Sequence, residues 1–458
     1  MHRPCSATPN GSVLIAVGVP VVSRAHATVP IAHRFGPQPD LPAPNPGLIP
    51  TVNMVPATGL PAGITPVAAQ RLSATKYAAG FDHPRWLCVL PNGDVLVAES
   101  DAPPKQDGFF SLEGWVMGVV MVMAGPAVPS GNRISPIRNA DRDGIAEPRT
   151  TFLSGLNSPF GMTLMGHTLF NATTAAIVAF PCQDGATRIT AVARRIVSRP
   201  ASPFNHYWAK DVIASPDGTK LSATGGSNSN VGENGIDAET NRAAMLEIDH
   251  ATRKTSIFAS GLRNPNGLAW QPDSGALWVA VNDRDEIGSD LVPDSMTSVR
   301  DGGFYGWPYS DCGQHVDARV KPPRPDPVQS ALVPDHASGA QTGSLGLTCD
   351  TGTPFPAGHA NGGFVGQYGS GNRQPPAGYK QNFVPFSGGR PAGDPTDLLT
   401  GFLNAKGKAK GRPVGVAMDA TGALPVADDV GNVVAGDAHV FDRFGFGPLC
   451  DVLSSACN

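Results

Sequence analysis

"GLRNPNGLAWQPDSGALWVAVND", residues 261–283, decides the fold. It sets Arg263 and Asn264 on a Pro-Asn-Gly turn and runs into an apolar strand. It then reverses at Asp273-Ser274-Gly275 and returns as alternating apolar residues that end on Asn282 and Asp283. Glycine in such a reversal accepts the positive φ that a tight hairpin needs. The same shape recurs in "GFDHPRWLCVLPNGDVLVAES" (80–100), "HYWAKDVIASPDGTKLSATGG" (206–226) and "GRPVGVAMDATGALPVADD" (411–429), and more weakly at 155–173 and 344–367. Six copies at a mean spacing of about 65 residues leave room for a four-stranded sheet and long loops in each. The pattern predicts an all-β chain folded as a six-bladed β-propeller, with an irregular β-sandwich as the alternative.

Composition agrees with many short strands. Gly 54 and Pro 45 in 458 residues are dispersed among apolar runs, and 41% of the chain is hydrophobic, which argues for turns and against disorder. A net charge of −4, without any block of Lys or Arg, lacks the electrostatic footprint of a nucleic-acid or anionic-membrane binder and points to a small-molecule partner. The seven cysteines form no C-x-x-C pair, so they signal neither a zinc site nor a disulfide framework; only Cys450 and Cys457 are close enough in sequence to suggest a local bridge.

Four segments follow from these patterns. Residues 1–27 hold the apolar run "VLIAVGVPVV" (13–22) and Ala25-His26-Ala27, the small-x-small spacing of a signal-peptidase site. The run is too short for a transmembrane helix, so the reading is an exported, periplasmic or secreted protein, with an unstructured leader as the alternative. Residues 28–70 are a Pro-rich extended segment. The propeller spans 71–434, and 435–458 is an atypical tail that does not continue the repeat. A closing strand for the last blade is therefore missing from the expected place.

In a propeller the innermost strand of every blade points one end at a central channel, so residues just before those strands converge. The heads are Asp82-His83, Asn157-Ser158, His206-Tyr207, Arg263-Asn264, the cluster from Gln367 to Arg373, and Arg412. Guanidiniums grip carboxylates in bidentate fashion, so Arg263, Arg373 and Arg412 on one channel suit a ligand with several carboxylates. The loop "VNDRDEIGSD" (281–290) offers oxygens to a hard cation, or is a solvated turn. "NADRDGIAE" (139–147) has the early spacing of a calcium loop, but Thr150 stands where the twelfth-position glutamate belongs.

The stretches "DHPRWLCVLPNGDVLVAES", "LNSPFGM", "KDVIASPDGTKL", "GSNSNVGENGIDAE", 261–294 and "GGFYGWPYS" resemble the L-sorbosone dehydrogenase and pyranose dehydrogenase group of quinoproteins, relatives of soluble glucose dehydrogenase. The resemblance covers about residues 36–434. It implies a six-bladed propeller that binds pyrroloquinoline quinone (PQQ) with calcium and oxidises a sugar or sugar aldehyde. A cytochrome or quinone would then accept the electrons. By motif it implies Arg263 and Asn264 at the quinone end, Arg373 and Arg412 on the cofactor carboxylates, and main-chain oxygens of Asn282 and Asp283 on the calcium. The catalytic base falls on His206 or Tyr207; a phenol with a pKa of about 10 is a poor base at neutral pH. The family's "HGSWNR" reads "YGSGNR" here, so Tyr368 replaces a histidine and Gly371 an aromatic lid. A calcium-dependent lactonase-type hydrolase on the same fold, and a non-catalytic carbohydrate-binding propeller, are the alternative readings.

Overall fold

The computed structural model describes residues 27–45, 53–103, 125, 128–139, 145–146, 150–201, 205–350 and 358–437. The leader reading, the Cys450–Cys457 pair, most of the 139–147 loop and nearly all of the tail lie outside the described residues. Each of the six sequence copies forms the two inner strands of one blade. Blade 1 runs Pro84–Val89, Val95–Glu99, Arg133–Ile137 and Leu153–Ser154, and blade 2 Met162–Met165, Thr168–Ala172, Ala176–Pro181 and Arg194–Ser198. Blade 3 is Val212–Ala214, Lys220–Gly225, Ala244–Asp249 and Thr255–Ser260. Blade 4 is Asn264–Trp270, Leu277–Asn282, Pro293–Ser298 and His336–Ala340. Blade 5 is Ser344–Cys349, Gly362–Gln367, Lys380–Ser387 and Thr396–Thr400. All neighbours within these four-strand sets pair antiparallel, and the chain is a six-bladed β-propeller.

Blade 6 supplies only three strands from its own region: Pro413–Val416, Leu424–Asp428 and Val433–Asp437. Its fourth is Ala74–Ala79, which pairs antiparallel with Val433–Asp437, Ala78 opposite Val434 and Thr75 opposite Gly436. The strand missing after Val434 thus comes from the other end of the chain, and the ring closes. The reason is visible in the packing: Val434 is fully buried with Phe81, Leu87, Val97 and Ala427, a core shared by blades 6 and 1 that an open seam would expose.

The Pro-Asn-Gly of the opening stretch is not a turn. Residues Asn264–Trp270 are one strand with a bulge between Pro265 and Leu268. Gly267 is there because a Cβ would run into the Leu347 main chain of blade 5, just as one on Gly346 would meet Val414 O of blade 6 and one on Gly415 the Arg85 carbonyl of blade 1. The inner strands approach so closely at the hub that side chains are excluded. The hairpins elsewhere behave as read: Gly93 and Gly218 take φ of +87° and +70° after Asn92 and Asp217.

The N-terminal segment lies along the last three blades. Phe35–Gly36 adds to the outer strand of blade 4, Val67–Ala68 to that of blade 5, and Ala74–Ala79 completes blade 6. Between them Asn53 donates to Arg373 O at 2.7 Å, and the Pro56 carbonyl accepts from Ala409 N at 2.9 Å. A Cβ on Gly371 would collide with Met54 Sδ, so the strap occupies the space that a side chain at position 371 would fill.

Two outcomes test this packing. Val434→Asp places a carboxylate in the seam and should cost about 3–5 kcal/mol, read as a collapse of the thermal melting temperature; an unchanged melt would show that the seam does not hold the ring. His336 on the outer strand of blade 4 is fully buried with neither ring nitrogen bonded, and burial pushes its pKa from 6.5 down to about 4. The unfolded chain takes a proton there near pH 6.5 and the folded one only near pH 4. The neutral ring's contribution is therefore whole above pH 6.5 and is lost as pH falls toward 4, by about 3 kcal/mol. Urea titrations of wild type and His336→Met across that window should differ in slope, and parallel curves would refute it.

Candidate active site

Arg263 is 1% exposed at the head of blade 4. A buried guanidinium must find acceptors, and this one finds them on three sides. Its Nη2 donates to Tyr207 Oη, to Asn230 Oδ1 at 2.7 Å and to Asp285 Oδ2 at 3.0 Å. Its Nη1 donates to Asp283 O and to Asn282 O, and Nε to Asn230 O at 3.3 Å. The guanidinium carbon lies 4.5 Å from the Tyr207 ring centroid. Asn264 beside it is buried with Oδ1 unbonded, facing Gly226, where a Cβ would strike that oxygen.

The two candidates for the base differ in setting. Tyr207 is half-buried, and burial pushes its phenol well above the ordinary value despite the opposing Arg263 charge, so it stays protonated. His206 is exposed, with its ring centroid 4.6 Å from that of Tyr207. Its charge also acts on Glu233, whose carboxylate accepts from Asn230 N and Val231 N.

Arg412 at the head of blade 6 is also 1% exposed. Its guanidinium lies 4.8 Å from the Tyr368 ring centroid and 4.9 Å from that of Tyr379, donating to Val55 O at 2.9 Å and Tyr368 O at 3.4 Å. Nε has no partner, and no carboxylate lies within ion-pair distance among the described residues. Arg85 reaches the same Tyr368 ring at 5.3 Å and the Trp208 ring at 5.7 Å. Arg85 pairs with Asp429 at 3.2 Å and Asp101 at 3.1 Å. Tyr368 Oη donates to Asp429 Oδ2 at 3.0 Å, and His83 Nδ1 meets Asp429 Oδ1 at 2.8 Å. Burial works to lower the His83 pKa, but the Asp429 hydrogen bond and charge outweigh it and raise it. Blades 1, 5 and 6 are thus joined at the channel through Asp429.

Arg373 stands apart from both groups. Its Nη1 donates to Ser289 O, with Asp290 Oδ1 at 3.6 Å, and burial together with the Arg34 charge pushes its pKa down to about 10. Nε is unbonded. The structure therefore groups Arg263, Tyr207, Asn282 and Asp283 in one network and Arg412 in a second. It sets Arg373 in a third, where Thr28 and Val29 also bond Asp290.

The carbonyl oxygens of Asn282 and Asp283 both receive Arg263 Nη1. They are engaged by a cation of the protein itself, which does not suit a calcium ion at the same two oxygens. The side chains nearby are also committed: Asn282 Nδ2 and Asp283 N both donate to Asp294 Oδ1, and burial pushes the Asp283 carboxyl up to about 6. Among the described residues no group of three or more His, Cys, Asp or Glu is placed to hold a metal ion.

Reading blade heads alone misses Arg85, Trp208, Tyr379 and Asp429. Arg85 is the second residue of its strand, and Asp429 follows the end of a second strand. The signal available was the mirrored position: "NDRD" ends the second strand of blade 4, and "ADD" ends that of blade 6.

A model of the Glucose / Sorbosone dehydrogenase family matches residues 171–357. An uncharacterized protein of Borreliella burgdorferi is 28% identical over 201 residues, covering 42% of this chain and 51% of the relative; the chain spans about half the length of the curated relative it matches. The holo pyranose dehydrogenase PQQ domain from Coprinopsis cinerea superposes with a TM-score of 0.66 at 18% identity, over 84% of this chain and 100% of that one. The calcium structure of a Trichoderma reesei carbohydrate-active enzyme gives 0.67 at 16%, over 84% and 99%. The PQQ-bound aldose sugar dehydrogenase from Streptomyces coelicolor gives 0.52 at 15%, over 81% and 99%. At these identities the structural likeness establishes the propeller fold. Residues 171–357, which carry the heads of blades 3 and 4, are thus the part of the chain that is similar to the Glucose / Sorbosone dehydrogenase family.

Proposed function

We propose that this chain is a PQQ-dependent dehydrogenase of a sugar or sugar aldehyde that passes its electrons to a cytochrome or quinone. The observation that carries it is Arg412: a guanidinium removed from water, between Tyr368 and Tyr379, with Nε unbonded and no carboxylate in ion-pair distance among the described residues. Such a group lacks its counter-charge, and a cofactor with three carboxylates supplies one. Arg85 on the same tyrosine ring and the unbonded Asn264 Oδ1 extend the polar lining on other blades. The residues present fit PQQ, with Arg412 on a carboxylate and Arg263 and Asn264 toward the quinone. They do not fit calcium at the Asn282 and Asp283 carbonyls, and no step is assigned to the metal. The apolar leader-like run at 13–22 supports a periplasmic or secreted setting.

When bound, PQQ supplies a two-electron acceptor for hydride. The substrate loses its C–H hydride and its O–H proton, an aldehyde reacting as its hydrate. His206 takes the proton, because it is the exposed imidazole at the blade 3 head. Tyr207, kept protonated, orients Arg263 instead. The fixed charge of Arg263, held in place by Asn230 and Asp285, stabilises negative charge that develops beside it.

Titrating PQQ into the purified chain while following tryptophan fluorescence should give saturable quenching, and dye reduction should follow with L-sorbosone, glucose or fucose. No quenching at all removes the quinoprotein reading, and quenching without turnover on any sugar favours a binding propeller. Arg412→Met should weaken PQQ binding by about 10–150-fold, the loss of one charged hydrogen bond; an unaltered affinity would place the carboxylates elsewhere. For the base, His206→Asn should lower kcat by about 10²–10⁴-fold with PQQ still bound, while Tyr207→Phe keeps most of the rate. The reverse ranking would hand the role to the phenol.

A further inference from the structure

Behind the Tyr207 and Asn264 wall lies a second group of buried cations. Arg199 follows the outer strand of blade 2, Lys210 precedes the inner strand of blade 3, and Arg242 precedes the third strand of blade 3. They are 5%, 1% and 6% exposed. Arg242 raises the cost of charge on Arg199, and both guanidiniums do so on Lys210. Burial lowers all three toward their neutral forms; the neighbouring guanidiniums add to it at Arg199 and Lys210, and Glu239 opposes it at Arg242. Among the described residues Glu239 is the carboxylate that acts on the group, through Arg242, and it is already bonded to Asn228 N and Ser229 Oγ. Asp211, next to Lys210, directs its carboxyl to Leu268 N and Val212 N and is pushed up to about 8 by burial, so it brings no full charge at neutral pH.

Within this group it is Arg199 that protein acceptors leave unsatisfied. Arg199 uses only Nη2, on Thr224 O at 3.2 Å; Nε and Nη1 are sealed from solvent and unbonded. Lys210 Nζ has the Trp208 carbonyl at 3.2 Å. Arg242 reaches Asn205 Oδ1 at 2.8 Å, and that amide is anchored on Thr174 Oγ1 at 2.8 Å. The sequence accommodates the arrangement: a Cβ on Gly225 would collide with Arg199 Nη2, and one on Gly226 with Asn264 Oδ1. Two consecutive glycines thus form a thin wall between the cation group and the candidate active site. Two buried guanidinium hydrogen bonds left unmade are destabilising, and net positive charge selects the sign of whatever relieves them.

We propose that Arg199, Lys210 and Arg242 form a binding site for a small inorganic anion between blades 2 and 3. It holds the Gly225-Gly226 wall in place by neutralising the charge behind it, and it is separate from the PQQ-bearing channel. Bromide tests this on the unmodified protein, with readouts that do not involve activity. Crystals soaked in sodium bromide should show an anomalous peak within hydrogen-bond distance of Arg199 Nε or Nη1. In solution, bromide added at constant ionic strength, balanced with a bulky sulfonate buffer salt, should raise the melting temperature saturably by about 2 °C. Arg199→Met should abolish that rise. No peak at the trio overturns the proposal. A peak without saturable stabilisation means an adventitious ion only and also overturns it, as does a rise that persists in Arg199→Met.

Discussion

A guanidinium cannot leave water without acceptors, and much of the hub of this protein is organised by that requirement. Arg85, Arg263 and Arg373 each have a carboxylate within 3.6 Å beside their carbonyl acceptors, whereas Arg412 is answered by carbonyl oxygens and aromatic faces. Carbonyls and rings stabilise a cation without cancelling its charge. At Arg412 this leaves a positive charge that a paired carboxylate would have cancelled. Closure of the ring is what makes this possible, since Arg412 depends on Val55 and Tyr368, which are remote from it in sequence.

The fold was legible because hairpin chemistry repeats six times, and each repeat became the two inner strands of a blade. The last strand was not legible, because blade 6 borrows Ala74–Ala79 from a stretch with no repeat signature of its own. The opening Pro-Asn-Gly misled for a physical reason: glycine marks both positive-φ turns and close backbone approach, and at Gly267 the second cause operates. For the site, the motif positions of Arg263, Asn264, Tyr207, Asn282 and Asp283 fall in or against one network. That the two carbonyls are taken by Arg263 could not be read from residue order. Arg85 and Asp429 escaped notice because neither stands at a blade head: Arg85 lies inside its strand and Asp429 just past the end of a second one, yet both reach Tyr368.

The two glycine features at the site work in opposite senses. Gly225 and Gly226 make room for side chains arriving from both faces of one strand end. Gly371 makes room for Met54, so a residue far upstream contributes to the mouth that its own loop leaves bare. Substitutions at any of the three would be felt as displaced neighbours before any effect on backbone conformation, since none of them has a positive φ.

The borrowed strand also sets an order for synthesis. Thr75 and Gly436 are 361 positions apart, so Ala74–Ala79 leaves the ribosome with its partner still unmade. Throughout translation of blades 1 to 5 it remains an edge with unpaired amides and carbonyls, open to pairing with another nascent chain. The loop closure that ends this exposure is among the longest the chain can make, which places ring completion late in folding.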